Sequence, residues 1–220
     1  MTVRLLCFAL LLVARSALAV PPRDFHVFAY DLDLVIDRAH QRLTGRERLH
    51  LRNDIRGLTT LVFPGHGISV RSVTSQDGAP LAYSTAHDEI RIHPPNSFAE
   101  GDTLAFTIQY EATKPQGVVF HPDCIYSSFF TSHWMVCRDR PDDKATFSLS
   151  LTVPESLGVV ASGERVAMHA VAGARTQHVW HEAVPSSSYL FGFAIGQFTR
   201  TVREHRGVTF EYDVAGADSQ

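Results

Sequence analysis

The chain has 220 residues, enough for one large or two small domains. Apolar residues make up 45% and charged residues 20%, which excludes a disordered chain and fits a protein with a substantial core. A formal net charge of -3 offers no basic surface to a phosphate backbone, so no nucleic-acid partner is expected.

In chain order, residues 1–19 read as a signal peptide. Arg4 supplies a positive start, Leu5 to Ala14 form a short apolar run, and Ala17-Leu-Ala19 is a small-x-small cleavage site. The expected mature chain begins at Val20 and is exported, to a periplasm or the medium. The apolar run is too short to span a bilayer, and no later segment is long and apolar enough, so no membrane association is expected after cleavage. Cys7 leaves with the signal. Cys124 and Cys137 remain, either as a disulfide contributing about 3 kcal/mol in an oxidising compartment or as two buried thiols.

From residue 30 onward, period-two alternation dominates. Leu32, Leu34 and Ile36 alternate with Asp31, Asp33 and Asp37, and Leu49 and Leu51 flank His50. Leu104, Phe106, Ile108 and Tyr110 alternate with polar or small residues, as do Phe147, Leu149, Leu151 and Val153. This spacing puts apolar side chains on one face of a strand. Turn signals fall at Asp77-Gly78, Pro94-Pro-Asn96, Glu100-Gly-Asp102, Ala172-Gly173 and Arg206-Gly207. No window shows sustained helical periodicity. The pattern predicts an all-β domain over residues 20–220, with antiparallel sheets forming a sandwich or saddle and little helix beyond the signal peptide.

Searches for catalytic constellations return little. The 12 histidines invite a metal hypothesis, and His178 and His181 are the best local pair. Their surroundings read as a strand, where positions three apart face opposite ways, so no metal site is expected. Ser186-Ser-Ser188 lacks a nucleophile elbow, and no phosphate loop or dinucleotide fingerprint occurs. Asp142-Asp143 follows Arg140-Pro141 and reads as a turn or strand entry.

One segment is more specific: Trp134-Met-Val-Cys-Arg-Asp-Arg-Pro-Asp-Asp-Lys-Ala-Thr-Phe147, running on to Pro154. It resembles the N-terminal domain of the M1 family of zinc aminopeptidases, in which a Pro-Cys-x-Asp-x-Pro turn and Lys-Ala-x-Phe lead into a long strand. Cys137, Asp139, Pro141, Lys144, Ala145 and Phe147 match; Val136 stands where the family has its first Pro. Tyr30 to Asp37 with Leu43-Thr-Gly45 resembles the family's opening strand pair. Val159 to Gly163, Trp180 to Pro185, Tyr189-Leu190 and Phe193 to Phe198 resemble later segments in the same order.

The resemblance implies a β-saddle that packs on, and partly lines the substrate site of, a zinc-binding catalytic domain. That domain's Gly-x-Met-Glu-Asn and His-Glu-x-x-His motifs do not occur in this chain. No cofactor is therefore expected here, and zinc is implied only for the partner domain. The expected function is the non-catalytic domain of an exported M1-like aminopeptidase, its catalytic domain joined in cis if the chain is part of a longer one. The alternative is a standalone exported module that binds a protein or peptide. The family's substrate-facing loop corresponds to Ile125 to Phe129, where Tyr126, Ser127 and Ser128 are the candidate peptide contacts, without the family's Gln or Glu. Phe129, Phe130, His133 and Trp134 form an aromatic cluster, either core or contact surface.

Overall fold

A computed structural model describes residues 23–94 and 98–215. The signal-peptide reading, and Pro95 and Asn96 of one expected turn, lie outside the described residues. Sixteen strands follow in order: β1 (Phe25–Asp37), β2 (Arg42–Asn53), β3 (Leu61–Pro64), β4 (Ile68–Ser75), β5 (Ala82–Ala86), β6 (Glu89–His93), β7 (Thr103–Thr113) and β8 (Val118–Phe120). After these come β9 (Cys124–Ser127), β10 (Lys144–Pro154), β11 (Gly158–Ala161), β12 (Glu164–Val171), β13 (Arg175–Ser187), β14 (Phe193–Gly196), β15 (Phe198–His205) and β16 (Val208–Ala215). Two short 3-10 turns, Thr131–His133 and Ser188–Leu190, are the only helical elements among the described residues.

The main sheet has seven strands in the order β12-β13-β10-β1-β2-β7-β4. Its inner face carries Leu32, Leu34, Leu49, Phe106, Ile108, Leu149 and Leu151, each 2% exposed or less. Burying each such side chain contributes about 1.5–3 kcal/mol. Two smaller sheets cover that face. The sheet β3-β6-β5 packs through Phe63 against Phe25 and Phe106, with ring centroids 5.2 and 6.1 Å apart. The sheet β11-β14-β9-β8 packs at its β14 end, where Phe191 stacks on Phe147 at 4.4 Å and Phe193 meets Trp134 edge-on at 5.3 Å. A separate hairpin, β15-β16, completes the described chain.

The alternation expected from sequence is present, with two departures. A bulge between Val27 and Ala29 switches the buried parity of β1, so Phe25 and Val27 share a face with Tyr30, Leu32 and Leu34. And one pairing is parallel: β10 lies beside β1 in parallel register from Ala29–Thr146 to Leu34–Leu151. The two strands run the same way because β10 returns only after a long crossover that includes the three-stranded sheet and β8–β9 of the four-stranded one, a connection that a hairpin cannot make.

Candidate functional site

The motif turn lies between the 3-10 turn at Thr131–His133 and the start of β10. Its backbone is held from both sides by buried groups. Val136 N–H donates to Glu47 Oε2 at 2.9 Å, and Arg138 N–H donates to the Tyr30 hydroxyl at 3.0 Å. Ser188 Oγ donates to Arg138 C=O at 2.8 Å, and Ser187 Oγ to Pro141 C=O at 2.8 Å. The Arg138 guanidinium lies over the Phe25 ring at 4.1 Å and pairs with Asp24 at 2.8 Å and Asp143 at 3.5 Å. Asp143 is fully screened from solvent and also meets His26 and Arg23. Buried charges persist only when paired in this way.

Glu47, a residue of β2 that sequence reasoning passes over, is a fully buried carboxyl beneath the turn, with 0% exposure. Burial pushes its carboxyl well above the ordinary range, and the bond from Val136 only partly offsets this. The side chain therefore sits as a neutral acid. Gly45, two residues before it on the same face, makes room for Tyr110: a Cβ at Gly45 would stand 2.3 Å from Tyr110 Cζ. Tyr110 in turn reaches across to donate to Trp134 C=O at 2.9 Å.

The expected residues separate into three groups. Cys137 is buried, and burial raises its thiol well above the ordinary value. Asp139 is exposed and accepts from Ser132 Oγ at 3.3 Å, while Pro141 and Lys144 lie at the surface where β10 begins. Asp142 pairs with Arg140 as a turn residue should, but Asp143, read the same way, is the buried hub described above. Of the two readings of Cys124 and Cys137, the structure has both thiols free. Cys124 lies on β9, opposite Gly196 of the four-stranded sheet, whereas Cys137 sits in the core beside Ser188 and Tyr30.

Of the three candidate contacts only Tyr126 is exposed, at 37%. Ser127 Oγ accepts from Phe193 N–H at 2.9 Å, which commits it to holding β14. Ser128 N–H donates to Gly117 C=O at 2.9 Å. The loop then passes through two consecutive left-handed residues, Phe129 (φ 56°) and Phe130 (φ 46°), costing about 1–2 kcal/mol each. Their carbonyls press so closely on Gly117 that a Cβ there would lie 2.7 and 2.6 Å away. The outcome is unusual exposure: Phe129 is 78% and Phe130 48% accessible, while Trp134 is fully buried. The expected aromatic cluster is thus half core and half surface.

Elsewhere, His178 and His181 lie on β13, with His178 buried beneath the strand face shared by Trp180 and His181 on the opposite side. Burial, with Arg165 nearby, holds the His178 imidazole below its ordinary value, and neither ring nitrogen has a partner. His178 is a neutral core residue. Among the described residues no group of three or more His, Cys, Asp or Glu side chains gathers as a metal site.

Comparison with known proteins agrees with this geometry. Residues 124–190 match the family model described as the peptidase M1 N-terminal domain. Over 75 residues the chain is 39% identical to leucine aminopeptidase 2 of Emericella nidulans, a match covering 33% of this chain and 12% of that protein. Over 115 residues it is 28% identical to transcription initiation factor TFIID subunit 2 of Caenorhabditis elegans, covering 47% of this chain and 11% of that one. The crystal structure of an M1 zinc metallopeptidase from Deinococcus radiodurans aligns with a TM-score of 0.75 at 23% identity, covering 83% of this chain and 44% of that one; that likeness is one of fold. The matches thus span a small part of the curated relatives and less than half of the metallopeptidase chain. Residues 124–190, with the motif turn inside them, are similar to the peptidase M1 N-terminal domain, and the fold around them is the one seen in an M1 metallopeptidase.

Proposed function

We propose that this chain is the non-catalytic N-terminal domain of an exported M1-like zinc aminopeptidase, which supports and partly lines the substrate site of a catalytic domain. The observation that carries the reading is the outward face of the four-stranded sheet. Val119, Tyr126, Ala194 and Val160 form one cross-strand row on that face, and Cys124, Gly196 and Gly158 form the next. Val119 and Tyr126 are exposed on that face, while Phe198 packs over Gly158 and Gly196. Phe129 and Leu190, 78% and 61% exposed, stand among its neighbours in the chain. Large exposed apolar patches mark contact surfaces. In this reading Tyr126, on the inner strand β9, is the peptide contact. Zinc, the attacking water and the groups that act on them belong to the catalytic domain in this reading.

Sequencing the gene past the Gln220 codon tests the proposal. A continuing frame with His-Glu-x-x-His supports it; a stop codon with no adjacent catalytic frame sinks it. A second reading, a standalone binding module, draws support from the TFIID subunit 2 match, since that relative is named as a transcription factor subunit and not as a peptidase. A monodisperse domain that recovers no partner from the native exported fraction would count against it.

A further inference from the structure

The strained Phe129–Phe130 loop is held by one more contact outside the motif turn. His133, the last residue of the 3-10 turn, stacks on His66, with ring centroids 4.7 Å apart and planes 20° from parallel. Phe130 meets the same His133 ring edge-on at 5.4 Å. His66 lies on the turn between β3 and β4. That turn is itself tied down by the Gly65 N–H, which donates to Asp88 C=O at 2.7 Å. The stack therefore joins the loop to the small β3-β6-β5 sheet across the domain.

We propose that the His66–His133 stack is an acid-sensitive clasp on the Phe129–Phe130 loop, closed while at least one imidazole is neutral and opened when both carry a proton. Two neutral rings, or one neutral and one charged, stack without repulsion. Two imidazolium ions face to face at this distance repel. The charged groups around the pair are few. The Asp88 carboxylate, from the β5–β6 turn, stands 3.7 Å from His66 Nδ1, and Asp139 acts on His133 from the motif turn. Both carboxylates raise the His133 value. For His133 they are outweighed: burial first, then the neighbouring His66, hold its imidazole below the ordinary value. The second proton is thus opposed, and when it binds at low pH the clasp is the contact that yields.

The clasp concerns the loop alone and does not depend on a catalytic domain. Hydrogen–deuterium exchange on the full chain, corrected for intrinsic rates, reads it directly. The reporting amides are Ser128, His133, Trp134 and Met135, whose N–H groups bond to Gly117, Phe130 and Thr131 carbonyls. Protection of these amides is expected to fall at least about tenfold between pH 7 and pH 4, through and below the ordinary histidine range, while β1 and β10 amides stay protected. His66→Phe keeps a stacked ring but cannot supply the second charge, so the step should vanish. His133→Phe should remove it as well. In parallel, the NMR titration midpoint of His133 should rise in His66→Phe. No step in the unaltered chain, or an undiminished step in either variant, overturns the proposal.

Discussion

Glu47→Gln isolates the role of the buried carboxyl. The substitution keeps the shape and leaves a carbonyl oxygen to accept the Val136 N–H, now 2.9 Å from Oε2. It removes the proton equilibrium. Glu47 is raised well above its ordinary 4.5 by burial, so its stabilising contribution is complete below that value and is lost as pH rises toward the folded-state value. In that window the unfolded carboxyl has lost its proton while the folded one keeps it. Unfolding therefore gains about 1.4 kcal/mol for each pH unit. As pH rises above the ordinary carboxylate range, the stability of the unaltered chain should fall relative to Glu47→Gln along that slope. Urea titrations followed by Trp fluorescence at several pH values measure the difference, and groups common to both proteins cancel. Two curves that stay parallel across this range would refute the assignment of a neutral buried acid.

Four further outcomes follow from the same geometry. Asp143→Ala leaves Arg138 and His26 without their shared buried partner and should cost about 2–4 kcal/mol, measured by denaturant midpoint. Gly45→Ala forces a methyl into the Tyr110 ring and should cost about 1–3 kcal/mol, with a lower Tm by calorimetry. Phe129→Asn relieves a left-handed bulky residue and should raise the Tm of the isolated domain slightly, by up to about 1 kcal/mol of stability, while weakening capture of an M1 catalytic domain in a binding assay. Addition of a reductant should leave the Tm unchanged, and Cys137 should react with a thiol reagent only after denaturation.

Much of the fold is written in residue parity. The runs through Leu32, Phe106 and Leu149 announce their strands because each buries one face of a sheet, and six of the motif residues around Cys137 announce the turn. What sequence spacing hides is whatever depends on partners far along the chain. The parallel pairing of β1 with β10 has no local signature, since neither strand is marked by its neighbour. The bulge after Val27 likewise shifts parity without a glycine or proline to flag it. Glu47 was legible in principle: it shares the parity of Leu43, Leu49 and Leu51, and a carboxyl in that row asks for a buried donor. That donor is the Val136 N–H, at the one motif position where the family's proline would have none. Asp142 and Asp143 both follow Arg140-Pro141 and so read alike as turn residues; only partners distant in the chain, His26 and Arg23 with Arg138, separate their fates.

The parallel pair also sets an order of events for a newborn chain. Once β2 and β7 have emerged, β1 has a partner on one side only, and its other edge stays open until β10, which begins at Lys144, has been synthesised. During that interval the half-built sheet presents a row of unpaired amides and carbonyls beside uncovered Leu32 and Leu34. Such an edge templates pairing with other chains, and non-local closure of this kind is slow. A holding chaperone should accordingly favour chains arrested between β7 and β10 over those that have passed Pro154.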